Sequence, residues 1–179
     1  MKTILLVTAV LLAGMAAASR IPGDKPLAVV PSVDLQRYLG VWYEIASFPQ
    51  KFQKGCHCTK AEYSMNDKGY VRVVNSCRRG AAGGELKTAV GKAFVVAGSH
   101  NAKLKVQFFW PFRGDYWIID LAPDYSYAVV GDPSRKYLWI LARTPKMAEP
   151  LYREIVARTA AKGFDIGKLV RMDQSCAGE

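Results

Sequence analysis

The side chains able to do chemistry are few in this chain, and most of them are thiols. Cys56, Cys58, Cys77 and Cys176 are the four cysteines, and His57 and His100 the two histidines. Cys56-His57-Cys58 together with Cys77 suggests a metal site on residue type alone. Ligands so close in sequence rarely close a tetrahedron, however, and the usual Cys-x2-Cys element is missing. Nucleophilic catalysis needs a nucleophile, a base and a group that orients the base. His100 lies in the turn sequence Gly98-Ser99-His100-Asn101, remote from any such partner. Glu44 shares the alternation of Trp42 and so is directed inward, where pairing with an arginine or a buried water outweighs catalysis. The residues therefore predict no catalytic group, no metal and no cofactor. An even number of cysteines in an exported chain favours disulfides.

Export is read from Met1–Ala18. Lys2 is a minimal positive start, Ile4 to Leu12 are mainly apolar, and Ala16-Ala17-Ala18 offers a small-residue cleavage site. The apolar stretch is too short to span a bilayer. No cysteine precedes Cys56, so no lipobox is present, and a soluble periplasmic or secreted protein is expected. The chain has 179 residues and a formal charge of +10, which becomes +9 without Lys2. That length suits one domain with a real core. No stretch carries a run of bases on one helical face, which argues against nucleic acid as a partner.

After a proline-containing leader, Ser19 to Val33, the sequence alternates in short runs. Strands are expected at Gly40–Phe48, His57–Ser64, Tyr70–Cys77, Lys87–Val96, Leu104–Phe109, Tyr116–Leu121, Tyr127–Gly131 and Tyr137–Arg143. Turn sequences such as Asn66-Asp67-Lys68-Gly69 separate them. Eight such strands predict an all-β protein, an antiparallel up-and-down barrel, the size at which a barrel holds one small ligand. From Glu149 to Lys162 the period becomes helical, with Leu151, Ile155 and Thr159 on one face, Pro150 near the start and Gly163 beyond the end. One C-terminal helix packed outside the barrel is expected, then a closing strand or tail over Phe164 to Arg171. The hairpin of the second and third strands brings Cys56 near Cys77.

Three short stretches carry a resemblance. Gly40-Val41-Trp42 opens the first strand, Pro123-Asp124-Tyr125 stands at a later turn, and Tyr137 to Arg143 forms the last strand. In this order and spacing they resemble the lipocalins, closest to the bacterial outer-membrane type and to their apolipoprotein D-like relatives. Proline at 123 departs from the family's usual threonine, though it also suits the start of a turn. The similarity runs from about Asp34 to Asp173, and a lipocalin domain over residues 34–176 is expected.

The resemblance implies an eight-stranded calyx whose closed end is built by Gly40, Trp42 and Arg143, the arginine stacked on the indole. With parity, it also implies an inward set: Ala46, Ala61, Tyr63, Val73, Asn75, Val106, Phe108, Tyr116 and Trp139. Such a set lines a mainly apolar cup, unless the side chains meet and fill the barrel. Cys58 would pair with Cys176, as in the strand-to-tail bridge of the apolipoprotein D-like members. The loops after the first, third, fifth and seventh strands would surround the mouth. They carry Lys51, Lys54, Arg78, Arg79, Lys87, Arg113, Arg135 and Lys136 against Glu85, Asp115 and Asp132, whereas the opposite end is balanced. The implied function is binding, transport or storage of a small hydrophobic or amphipathic ligand, a fatty acid or lysophospholipid. Its anionic head would sit among the mouth bases, with Arg113 reading the charge. The alternatives are a module that docks on anionic membrane and, behind it, a lipid-modifying enzyme.

Overall fold

A computed structural model describes residues 25–176 of the chain. Met1–Ala18 lies outside the described residues, so the export segment has no structural counterpart here. The first element is a single helical turn, α1 (Leu35–Tyr38). Asp34 caps it, its carboxylate accepting from the amides of Gln36 at 2.9 Å and Arg37 at 3.3 Å.

Gly40 then turns the chain at φ +90°, where a Cβ is disfavoured. Eight strands follow: β1 (Gly40–Ser47), β2 (Cys56–Met65), β3 (Val71–Arg79), β4 (Leu86–Val95), β5 (Lys103–Gln107), β6 (Gly114–Leu121), β7 (Tyr127–Gly131) and β8 (Leu138–Ala142). Each pairs antiparallel with the next, and β1 pairs with both β2 and β8, so the sheet closes. Helix α2 (Glu149–Ala161) lies against the outer wall, and a two-residue β9 (Val170–Arg171) adds to the far half of β1. The predicted barrel, helix and closing strand are all present, with boundaries shifted by one to a few residues.

Two apolar layers hold this together. Inside the barrel lie Trp42, Tyr63, Val73, Ala93, Leu104, Ile118, Val130 and Leu141. Outside, Ile155 of α2 and Phe164 cover Ile45, Ile119, Val129, Leu138 and Ile140. The helical stripe read from the sequence is the one buried, since Ile155 and Thr159 are both excluded from solvent.

One departure alters the site. A bulge between Glu44 and Ala46 shifts the register of β1 against β8, so Glu44 faces Leu141, Ala46 faces Ile140 and Ser47 faces Trp139. A bulge adds a residue and reverses the alternation beyond it. Ala46, expected inside, therefore packs with the outer layer under α2, and Ser47 takes the inward place.

The far half of β1 no longer touches β2, and the C-terminal tail fills the seam. The Met172 amide donates to the Ile45 carbonyl at 3.0 Å, and that of Cys58 donates to the Asp173 carbonyl at 2.7 Å. The Gln174 side-chain amide donates at 2.8 Å to the carbonyls of both Glu44 on β1 and Thr59 on β2. Both expected disulfides form: Cys56–Cys77 with Cα atoms 5.4 Å apart, and Cys58–Cys176 at 6.1 Å. The second ties the tail across the seam, and no cysteine is free among the described residues.

Candidate functional site

The closed end is built as expected from Gly40, Trp42 and Arg143. The guanidinium of Arg143 lies 3.8 Å from the Trp42 ring centroid. It also donates to the carbonyls of Val41 at 2.9 Å, Arg37 at 2.6 Å and Tyr125 at 3.3 Å, so it joins three separate segments. Trp42 donates its indole N–H to the Tyr38 carbonyl at 2.8 Å. Tyr125, the last residue of the Pro123-Asp124-Tyr125 stretch, accepts from the Asp34 amide through its hydroxyl at 2.9 Å and stacks under Arg37. The three stretches that carried the resemblance thus meet at one place.

Above this floor stands a cluster that the sequence only half disclosed. The Tyr116 hydroxyl is hydrogen-bonded to those of Tyr38 at 2.9 Å and Tyr63 at 3.0 Å. Burial pushes all three phenols up, Tyr63 to about 12, so they are neutral hydrogen-bonding groups at any physiological pH. Tyr63 and Tyr116 were expected inside. Tyr38 was not, because it precedes the first strand and has no parity to read. These rings, with Val106, Val71, Ala93 and Leu104, leave a cavity of about 10 Å³, room for roughly one water. The closed half of the barrel is filled.

Toward the mouth the wall becomes thin. Lys87, Ala89, Gly91 and Ala93 share the inward face of β4, opposite Cys77, Asn75, Val73 and Val71 of β3. Gly91 makes room for an aromatic ring: a Cβ there would stand 2.9 Å from two ring atoms of Phe108. Ala89 shares this inward face and is nevertheless exposed.

Glu44 is the polar centre of this upper region. It is 3% exposed. One carboxyl oxygen, Oε2, accepts from Gln53 Nε2 at 2.7 Å, and Gln53 Oε1 in turn accepts from the Trp139 indole at 3.4 Å. Gln53 comes from the mouth loop after β1, in a short 3-10 turn over Lys51–Gln53, and no pattern in the sequence marks its role. Burial raises the Glu44 carboxyl above its ordinary range, and Ser47 and Gln53 offset this only in part. The other oxygen, Oε1, has no partner, and neither has the buried Oδ1 of Asn75.

Arg113 is placed differently from expectation. Its guanidinium lies 4.4 Å from the ring centroid of Phe94, which alternates with inward Ala93 and so belongs to the outer wall. Arg135 is also drawn away, donating to the carbonyls of Lys162 and Lys25 at 2.8 Å each, on the helix side. Lys51, Lys54 and Lys136 remain exposed at the rim. The same rim carries bare aromatic rings. Phe109, Trp110 and Phe112 of the β5–β6 loop are 78%, 87% and 77% exposed, and Phe52 of the β1–β2 loop is 66% exposed.

A family model described as a lipocalin-like domain matches residues 33–174. The chain belongs to the lipocalin family. It is 41% identical over 159 residues to temperature-induced lipocalin-1 of Arabidopsis thaliana, covering 84% of each chain. It is 39% identical over 148 residues to outer membrane lipoprotein Blc of Escherichia coli K12, covering 83% of each. Among solved structures, insecticyanin of the tobacco hornworm Manduca sexta shares the fold with a TM-score of 0.67 at 22% identity, over 86% of this chain and 88% of that one. As a lipocalin barrel, it has the architecture of proteins that bind small hydrophobic ligands. No helix among the described residues is long and apolar enough to cross a membrane.

Proposed function

We propose that this lipocalin is exported and binds, carries or stores a small amphiphile, a fatty acid or lysophospholipid, in the upper half of its barrel. The observation that carries the reading is the thin inward face of β4, small from Ala89 to Ala93 and exposed at Ala89. Facing it are the larger Trp139, Phe108 and Tyr116, all packed against the inner cluster. Val73 and Val106 form the lower sides. A tail enters between these walls, and a polar head stays near Lys51, Lys54 and Lys136. Small ligand pockets are commonly built this way, apolar with a few placed polar groups.

Native mass spectrometry of protein made by export tests this directly. One lipid per chain is expected, lost on delipidation and regained with added fatty acid or lysophospholipid. A barrel that takes up neither after delipidation overturns the reading. The exposed aromatic rim favours a second, compatible activity: docking of the mouth on an anionic membrane, from which a lipid would be taken or to which it would be delivered.

A further inference from the structure

Outside the barrel, the C-terminal tail and the loop before α2 leave a groove of about 470 Å³ between them. The tail contributes Arg171, Met172 and Gln174, the loop contributes Lys146 and Met147, and Ile45 of β1 also lines it. We propose that this groove binds a second ligand, a flat aromatic molecule carrying one anionic group. The site is separate from the barrel and does not rest on what the barrel holds.

Size, lining and charge each narrow the ligand. Pockets for small molecules run from about 300 to about 1,000 Å³. The groove falls in that range, whereas the closed-end cavity of about 10 Å³ does not. Met147 and Met172 bring one thioether from each bank, and both side chains are half-buried. Thioether sulfur is polarizable and settles about 5 Å from aromatic rings, often at the edge. Unbranched methionine side chains also adapt to the outline of what lies between them. Of the two cations, Arg171 is committed within the protein. Its Nη2 donates to Glu149 Oε2 at 2.5 Å, and its guanidinium lies 3.3 Å from the Tyr152 ring centroid. Lys146 is exposed and has no carboxylate partner among the described residues. Glu149 and Arg171 cancel, so one positive charge is left, and a single anionic group complements it.

Both banks are held in place before any ligand arrives. On the tail side, the Met172 amide donates to the Ile45 carbonyl at 3.0 Å, and the Gln174 amide bridges Glu44 and Thr59. The Cys58–Cys176 disulfide fastens the end of that bank. On the loop side, Thr144 Oγ1 donates to the Lys146 carbonyl at 2.8 Å, and α2 begins at Glu149. Walls already ordered spare a ligand the entropy of ordering them.

The probe is 8-anilinonaphthalene-1-sulfonate, an aromatic monoanion, added to protein first saturated with oleic acid. Its contacts are read by NMR from the methyl signals of 13C-labelled methionines. Met147 and Met172 should shift together and saturate at one probe per chain. Met65, at the last position of β2, should stay still. Lys146→Met removes the charge and keeps the stem of an exposed side chain, so it should weaken the sulfonate about threefold to fivefold, the range of one exposed ion pair. N-phenyl-1-naphthylamine, the same rings without the sulfonate, should bind both proteins alike. A shift in neither groove methionine, or an equal shift in Met65, overturns the inference. Equal affinity of the sulfonate for wild type and Lys146→Met overturns it as well. Methionine signals that move with protein concentration and then ignore the probe would put a second copy of the chain in the groove, which also overturns it. Oleic acid retention is measured on the same sample by native mass spectrometry, so failure of the barrel reading shows there and failure of the groove shows in the methionines.

Discussion

Arg143 and Trp42 sit where three chain segments cross, and their substitution separates scaffold from site. Trp42→Ala removes a fully buried ring and should cost roughly 3–5 kcal/mol. Arg143→Ala loses the stack and leaves three carbonyls without their donor, which puts its cost at about 2–4 kcal/mol. Gly40→Ala should cost about 1–3 kcal/mol through backbone conformation alone, because a Cβ there would meet Arg143 Nη1 only at 3.5 Å, an ordinary contact. Denaturant unfolding of the delipidated proteins measures all three. Loss of ligand binding with an unchanged midpoint would make these residues part of the site. Glu44 gives a residue-scale prediction of another kind. Its folded carboxyl is raised from 4.5, chiefly by burial. At pH below that value both folded and unfolded chains hold the proton. Between the unfolded and folded values only the folded chain does, so stability falls as pH rises through the window and stays lower above it. Glu44→Gln has no such step. Its thermal midpoint relative to wild type should climb with pH across the window and then level off. A difference that stays flat with pH would mean that Glu44 ionises inside the barrel as it does in water.

At the scale of elements, the tail is the part whose role the sequence hid. The strands were legible because alternation is local, and α2 because its stripe of Leu151, Ile155 and Thr159 has a helical period. The bulge at Ile45 was not, since parity assumes two residues per repeat and an inserted residue leaves no mark on composition. That is why Ala46 was expected inside and Ser47 was not. The contact of Arg113 with Phe94 was hidden for a related reason: a loop tip can turn to either wall, and the Phe94 ring that receives it lies on another strand. The Cys58–Cys176 pairing was implied by resemblance, but its work at the seam is visible only with Gln174 bridging Glu44 and Thr59. On the loop-entropy account this bridge, 118 residues apart, is worth about 5 kcal/mol against about 3 kcal/mol for Cys56–Cys77, 21 apart. Replacing Cys58 and Cys176 by serine should therefore cost more than replacing the other pair. It should also speed hydrogen exchange at the far half of β1 beside Glu44. Exchange that quickens only in β2 and β3 would place the bridge's effect elsewhere. Peptide mapping of the exported protein should find these two pairings and no free thiol.

The whole molecule has a polarity that neither residue nor element displays alone. One end is sealed by Trp42, Arg143 and α1. The other carries Lys51, Lys54 and Lys136 exposed, with aromatic tips on loops that the strand order places on opposite sides of the mouth. Exposed rings of this size are uncommon on a soluble surface unless something covers them. Aromatic side chains partition to the bilayer interface, and each nearby base adds about 1 kcal/mol of attraction to an anionic surface. Arg113, stacked on the Phe94 ring of the outer wall, lies on this rim. Its replacement by alanine should leave the difference between a fatty acid and the matching alcohol unchanged while weakening membrane contact. Sedimentation with vesicles containing phosphatidylserine should pull down the wild-type protein, less so as salt is raised, and phosphatidylcholine vesicles should retain far less. Joint replacement of Phe109, Trp110 and Phe112 by serine should abolish retention without lowering the thermal midpoint, because these rings are packed against little of the protein. Retention that survives the triple replacement would assign docking to the lysines alone. Equal retention on both lipids, or on neither, would leave the aromatic rim without a membrane role.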